Sequence, residues 1–246
     1  MQETAATNEG LQPAQWRVRM VRWLLTCLLL VAGYWWAVRP DLRCSGNVIL
    51  HGDANRLAVA LTFDDGPDPL WTPLLAESLE HYGARGTFFL VGIDVERYPE
   101  LTRRLSLAGH EVASHSMTHP QHPNLEDLPY RRVTEEVIGS TRLLNKLTGQ
   151  PVVDFRPPGG GIGDDVLRVI GEQRQRLALW SCATGDYAEP PPAPGVILGR
   201  MITGLRPGAI MLQHARRNTV SAVEAFFARG YAGDYRYVTV QAMGQR

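Results

Sequence analysis

The chain has little cysteine, no surplus of either charge and no Gly-x-Gly-x-x-Gly segment, and each lack narrows the possibilities. Only three cysteines occur, and Cys27 lies in an apolar N-terminal segment, so at most Cys44 and Cys182 could pair; whether they pair or stay apart is open. Totals of 25 basic and 25 acidic residues give a net charge of zero, so nothing points to nucleic acid as a partner. What is present is 44% hydrophobic residues, enough to bury the core of one sizeable domain.

The N-terminus is predicted to be a separate module. Residues 1–16 are polar with little to pack, which is typical of a disordered tail. Residues 17–39 open with three arginines and continue as an uncharged apolar run, a pattern that predicts one uncleaved transmembrane helix. A cleaved signal peptide and a buried core helix remain alternatives, although the bulky end of the run is a poor cleavage region. The tight arginine cluster before the span predicts a cytoplasmic tail and an extracytoplasmic remainder.

After a predicted linker at 40–56, residues 57–246 are predicted to form one α/β domain. Its strand-like apolar runs lie at 57–63, 86–91, 111–114, 152–156, 177–180, 209–212 and 237–240. Its helical patterns lie at 70–82, 100–108, 125–148, 164–172, 196–205 and 220–229. This alternation predicts a parallel sheet with right-handed crossovers. Seven such strands without a dinucleotide-type glycine fingerprint favour an irregular barrel.

Two adjacent aspartates, Asp64 and Asp65, end the first predicted strand, and Gly66-Pro67 turns the chain away directly after them. In α/β proteins, sites are built at the carboxyl ends of strands. Adjacent carboxylates repel each other unless their work is divided, for example when one binds a cation and the other stays free as a base. Taken alone, the motif could also be a turn with two solvated acids.

His115 and His119 supply a candidate metal-binding pair. Four residues apart, they would share one face of a helical turn, so we predict that both reach one metal ion. Asp65 is the natural third ligand, and two nitrogens with one oxygen leave positions open for water and substrate, as in a catalytic site. This set favours Zn²⁺, with Co²⁺, Ni²⁺ or Mn²⁺ as alternatives. Paired histidines on a surface also arise by accident.

These two motifs resemble the first two motifs of the polysaccharide deacetylases, carbohydrate esterase family four. A third segment, Phe155-Arg156-Pro157-Pro158-Gly159-Gly160, is similar to the family's Arg-Pro-Pro-Tyr-Gly motif, with Gly159 in place of the aromatic residue.

The two remaining motifs follow in order along the chain. Residues 180–187, Trp-Ser-Cys-Ala-Thr-Gly-Asp-Tyr, resemble the family's Trp-Asp-x-Asp-x-x-Asp-Trp. Here Ser181 and Ala183 replace acids, and Tyr187 replaces the tryptophan. Leu-Gln-His at 212–214 matches the fifth motif, Leu-x-His. The resemblance therefore runs from about residue 57 to the C-terminus, and it implies the distorted (β/α) barrel of that family.

The resemblance also implies roles for the acids and bases. Asp64 would be the general base, and His214 the acid that protonates the departing amine. Arg156 would pair with a carboxylate near the base and hold it oriented. Because Ala183 cannot supply that carboxylate, Asp186 is the remaining candidate in the fourth motif.

The remaining implied roles concern the substrate, an N-acetylated glycan such as peptidoglycan, a chitin-type oligomer or an exopolysaccharide. A backbone N–H near Gly159 would stabilise the oxyanion, and Trp180 and Leu212 would enclose the acetyl methyl group. Two alternatives remain. One is a catalytically weak relative that binds glycan or metal, suggested by Ser181 and Ala183. The other is a hydrolase of a different amide or of an O-acetyl ester.

Overall fold

The computed structural model describes residues 48–244. The predicted tail at 1–16, the predicted membrane span at 17–39 and Cys44 lie outside this part of the chain. Within residues 48–244, no helix is both long enough and apolar enough to cross a membrane. The prediction of a transmembrane helix therefore stays a prediction.

A nine-stranded parallel sheet, curled into a half-barrel, organises the described residues. Its strands are β1 Val48–Ile49, β2 Ala58–Gly66, β3 Thr87–Leu90, β4 Glu111–Ser114, β5 Asp154–Phe155, β6 Arg176–Ala178, β7 Cys182–Ala183, β8 Ile210–His214 and β9 Arg236–Tyr237. The strand order is β1-β6-β5-β4-β3-β2-β8-β7, and β9 pairs with β2. This arrangement is consistent with the distorted barrel that the sequence predicts.

Helices follow most strands and cover the outside of the sheet. They are α1 Trp71–His81, α2 Gly92–Arg97, α3 Pro99–Leu107, α4 Tyr130–Thr148, α5 Asp164–Glu172, α6 Pro194–Gly204, α7 Arg217–Ala228 and α8 Val240–Met243. In α4, the longest of these, Val133, Val137 and Leu144 recur at helical spacing and are fully buried.

Strand β2 shows how alternation along a strand prepares the site. Val59, Leu61 and Phe63 belong to the large core cluster between sheet and helices, whereas Ala60 belongs to the cluster inside the half-barrel. Because successive side chains of a strand point to opposite faces, Thr62 and Asp64 share the inner face with Ala60. On the inner face of β2, apolar Ala60 is thus followed by polar Thr62 and Asp64 toward the carboxyl end of the strand.

Several predicted elements are corrected by the structure. The run at 237–240 is wrong as a strand, because β9 ends at Tyr237 and Val240 begins helix α8. The helix predicted from 125 begins only at Tyr130, since Pro129 disfavours helical geometry in the residue before it, and Leu125–Asp127 forms a separate 3₁₀ turn. Strand β1 lies inside the segment predicted to be a linker and pairs with β6. Elements of two residues are too short for a periodic pattern to reveal.

Candidate active site

The two aspartates at the end of β2 point in different directions. The pairing of β2 with β3 shifts register between Phe63 and Gly66, and a bulge of this kind redirects side chains. Asp64 faces inward, is 3% exposed and is the register partner of His214 on β8. Asp65 has a φ of 66° and an exposed side chain. The local bulge therefore separates neighbouring carboxylates that would otherwise compete for one position.

The histidine pair lies in a loop after β4, so the predicted helical turn is wrong. Ser116 and His119 have φ values of 66° and 53°, in the left-handed region that non-glycine residues rarely adopt. His115 is buried, and its Nδ1 donates to the main-chain oxygen of Arg156 at 2.7 Å. That bond leaves Nε2 available to coordinate a metal ion. The two rings nevertheless approach each other, with centroids 5.1 Å apart.

Asp65, His115 and His119 converge as the sequence predicts, with ligand atoms within 4.8 Å of one another. Asp65 Oδ1 lies 3.5 Å from His115 Nε2 and 3.3 Å from His119 Nε2. Burial alone would raise the pKa of Asp65, but hydrogen bonds from the two histidines outweigh it and hold that pKa far below its usual range. Two imidazole nitrogens and a firmly ionised carboxylate fit a divalent ion such as Zn²⁺.

Arg156 pairs with Asp64 itself, which corrects the predicted partner. Its side chain is fully buried, and Nη1 donates to Asp64 Oδ1 at 2.7 Å and to Thr62 Oγ1 at 2.8 Å. The other guanidinium nitrogens donate to the main-chain oxygens of Ala178 and Leu179. Asp64 thus has one oxygen fixed by a buried charge, and its Oδ2 faces His115 Nε2 at 3.8 Å.

Asp186 lies with His214 rather than with Arg156, so its predicted place in the Arg156 network is wrong. Its carboxylate accepts from His214 Nδ1 at 2.9 Å, from the His214 main-chain N–H at 2.7 Å and from Thr219 Oγ1 at 2.7 Å. Burial alone would lower the pKa of His214, but the hydrogen bond to Asp186 and the nearby carboxylates raise it above its ordinary value. The pair therefore favours a protonated imidazole whose Nε2 lies 3.9 Å from Asp65 Oδ2.

The two aspartates of β2, the histidine pair and His214 border one cleft of about 230 Å³, behind which Arg156 and Asp186 hold Asp64 and His214. Its lining residues are Asp64, Asp65, His115, His119, Gly159, Gly160, Trp180, Tyr187, Leu212 and His214. Gly160 is required as glycine, because a Cβ there would lie 2.7 Å from the Trp180 ring. A Cβ at Gly159 would meet nothing within 4 Å, so this wall of the cleft is open.

Residues 181–187 of the fourth motif lie on β7 and directly before and after it. Ser181 Oγ accepts from the Ile210 main-chain N–H, which ties the motif to β8. Ala183 lies on β7 opposite Leu212. Cys182 is half-buried and carries a free thiol, whose pKa is raised by burial. Tyr187 is 54% exposed, and its ring lies edge-on to His214 at 5.7 Å.

Two polar contributors were not assigned from the sequence. Thr62 lies within the first motif, and its hydroxyl supports Arg156, but a threonine in a strand gives no separate signal. Thr219 lies on α7 and supports Asp186 from 33 positions along the chain, a contact that only the fold brings about.

The amino-acid sequence is similar to those of several known proteins. The sequence profile of a family described as polysaccharide deacetylase matches residues 51–177. A peptidoglycan-N-acetylglucosamine deacetylase of Bacillus cereus is 32% identical over 214 residues, covering 84% of this chain and 97% of that protein. A chitooligosaccharide deacetylase of a Bradyrhizobium species is 37% identical over 160 residues, covering 64% of this chain and 70% of that one.

A solved structure adds a further comparison. The wild-type form of a protein described as a CE4-family pseudoenzyme of Bacillus anthracis is 26% identical and has a TM-score of 0.73. The match covers 80% of this chain and 68% of that one.

Proposed function

The chain belongs to the polysaccharide deacetylase family, and from this premise we propose that it is a metal-dependent hydrolase that removes N-acetyl groups from an amino-sugar polysaccharide. The observation that carries the proposal is the convergence on one cleft of a metal-binding set, a buried carboxylate and an imidazole held by a carboxylate. Hydrolysis of an acetamide consumes one water and releases acetate and a free amine, which requires a base for the water and an acid for the amine.

The metal-binding residues would be Asp65, His115 and His119. A divalent ion bound there would supply Lewis acidity and would lower the pKa of a bound water far below that of bulk water, towards ~7. Asp64 takes the proton at Oδ2, because Arg156 holds Oδ1. The fixed guanidinium orients the carboxylate.

His214 donates the second proton, from Nε2 to the leaving nitrogen. Asp186 holds Nδ1 and stabilises the protonated ring. The main-chain N–H at Gly159 stabilises the oxyanion of the tetrahedral intermediate. Trp180 and Leu212 enclose the acetyl methyl group at the inner wall of the cleft.

Incubation of the purified chain with defined glycans tests this proposal. Peptidoglycan, chitin oligomers and an acetylated exopolysaccharide are treated with added Zn²⁺ or with chelator, and released acetate is measured. Acetate from at least one glycan, abolished by chelator, supports the proposal and identifies the substrate class. Acetate released without an equal amount of free amine would come from O-acetyl esters and would replace the proposal with esterase activity.

A weak or inactive relative is the second candidate, because Ser181 and Ala183 replace acids and a similar protein of B. anthracis is described as a pseudoenzyme. Glycan binding by the metal-loaded chain without acetate release, on all three glycans, would favour this candidate.

We also propose that residues 17–39 anchor the chain in a bacterial cytoplasmic membrane with the catalytic domain on the extracytoplasmic side. The proposal rests on the arginine cluster before the apolar run and on the location of the glycans named above. A C-terminal alkaline phosphatase fusion should be active and should remain in the membrane fraction at full length. An inactive fusion would overturn the orientation, and a shortened soluble product would overturn the anchor.

A further inference from the structure

The loop that carries the two histidines is held in a conformation that its own residues do not favour. Ser116 and His119 have φ values of 66° and 53°, in the left-handed region that is unfavourable for residues other than glycine. Such a conformation persists where the surroundings fix it. Because the loop is not helical, the spacing of His115 and His119 depends on what binds the main chain between them.

The carbonyl groups of this loop are bound by the start of helix α2. Gly92 N–H donates to Ser116 O at 3.0 Å, and Ile93 N–H donates to Met117 O at 2.9 Å. These bonds satisfy the main-chain oxygens of the loop. The main-chain N–H groups of Met117 and Thr118 need hydrogen-bond acceptors from another element.

Glu136 on helix α4 supplies these acceptors. Its Oε2 accepts from the main-chain N–H groups of Met117 at 2.9 Å and Thr118 at 2.8 Å. Its Oε1 accepts from Thr118 Oγ1 at 2.7 Å. The residue is only 3% exposed, and one helical turn further along, Ser140 Oγ contacts Ser114 Oγ at 2.6 Å, just before His115. Helix α4 therefore forms hydrogen bonds with the chain just before His115 and between the two histidines.

We propose that Glu136 is a positioning residue that sets the metal affinity of the Asp65, His115 and His119 site, which rests on the proposed function of that site. A single carboxylate fixes two of the three main-chain N–H groups between the two histidines, those of Met117 and Thr118, so its loss frees the loop to relax toward ordinary φ values. The Nε2 atoms of His115 and His119 then no longer converge on Asp65. No contact between Glu136 and the ion itself is involved.

Metal binding to the full chain, rather than activity, tests the proposal. Zn²⁺ affinity is measured by chelator competition, and Co²⁺ loading by its visible absorption spectrum, which reports ligand geometry. The variants are Glu136→Leu, which removes the acceptors at similar volume, and Glu136→Gln, which keeps an acceptor for the two N–H groups. The matched control is Glu135→Leu, an adjacent exposed acid that pairs with Arg131 and Arg132 on the helix surface.

Glu136→Leu should lose about 10–100-fold in Zn²⁺ affinity, the usual cost of removing an outer partner of a metal ligand, and should alter the Co²⁺ spectrum. Glu136→Gln should recover most of the affinity, and Glu135→Leu should bind like wild type. Wild-type affinity and spectrum in Glu136→Leu, with only a lower melting temperature, would show a purely structural role and overturn the proposal.

A milder pair of variants decides the matter if Glu136→Leu does not fold. Thr118→Val removes only the hydroxyl bond to Oε1, whereas Thr118→Ser keeps it. Weaker Zn²⁺ binding in Thr118→Val than in Thr118→Ser supports the proposal, and equal binding overturns it. Absence of metal binding in the wild-type chain is a different result, because it overturns the proposed function together with this inference.

Discussion

Both ends of the half-barrel bury charged groups, but they close them off differently. At the amino ends of the strands, Glu111, Asp154 and Arg176 begin β4, β5 and β6. Arg176 binds Asp154 through two hydrogen bonds of 2.7 and 2.5 Å, and Gln241 N–H of helix α8 donates to Glu111 Oε2 at 2.8 Å. Helix α8 thus covers this end, and its first turn satisfies Glu111 with a main-chain hydrogen bond.

At the carboxyl ends, the buried groups border the cleft. Asp64 has one oxygen fixed by Arg156, and the other faces His115 across the site. His214 is held at Nδ1 by Asp186 and has Nε2 directed to the cleft. Burial of a charge therefore does not by itself mark a functional group. The site is distinguished by buried groups that each have one atom directed to the cleft.

The largest expected effect separates the two ends by turnover. Asp64→Asn removes the base and should lower the rate of acetate release by about 10²–10⁴-fold. Glu111→Gln, at the closed end, should leave that rate close to wild type. Rates are measured at saturating metal on the glycan that the wild-type chain deacetylates. An Asp64→Asn rate within a few-fold of wild type would assign the base to another residue.

The next effect separates stability from catalysis. Arg156→Met leaves Asp64 buried and unpaired, and breaking a buried pair in this way costs about 3–5 kcal/mol of unfolding free energy. Arg176→Met at the other end should also lower stability but keep turnover per folded molecule. Urea unfolding and rate measurements on both variants test this distinction. Loss of turnover in folded Arg176→Met would show that the two ends of the half-barrel do not differ in this way.

The pH dependence of turnover should sharpen the role of Asp186. Because the carboxylates around His214 raise its pKa, the protonated acid persists above the ordinary histidine range and activity falls only as pH rises through the raised value. Asp186→Asn removes a group that favours protonation, so this fall should move to lower pH. Thr219→Val, which keeps the carboxylate, should move it less. An unchanged basic limb in Asp186→Asn would exclude His214 as the group titrating there.

The smallest effect concerns the closed end. Burial and the neighbouring Asp154 carboxylate raise the pKa of Glu111 well above its ordinary value of 4.5. The folded state then holds a proton that the unfolded state has released, so stability should decline as pH rises from 4.5 through the raised value. Glu111→Gln should flatten this decline in unfolding free energy. An equal pH dependence in both proteins would mean that Glu111 is ionised in the fold.

The sequence predicts which residues form the site better than it predicts their hydrogen-bond partners. The aspartate pair, the histidine pair and His214 were predicted to meet because each follows a predicted strand, and the structure brings them together. The prediction that Asp186 supplies the carboxylate for Arg156 is wrong, because Arg156 pairs with Asp64 and Asp186 pairs with His214. Side-chain pairing depends on which strands are neighbours and on the bulge in β2. The loop form of His115–His119 was missed, because spacing alone does not distinguish a helical turn from a loop fixed by a distant glutamate.

Metal content distinguishes the two adjacent aspartates, because Asp65 is proposed to bind the ion and Asp64 to act as the base. Elemental analysis is applied to the wild-type chain, Asp64→Asn, Asp65→Asn and His115→Ala after loading with Zn²⁺ and desalting. We expect one ion per chain in wild type and in Asp64→Asn, and loss of the ion in Asp65→Asn and His115→Ala. Equal metal content in wild type and His115→Ala, or release of the ion by Asp64→Asn alone, would contradict the account.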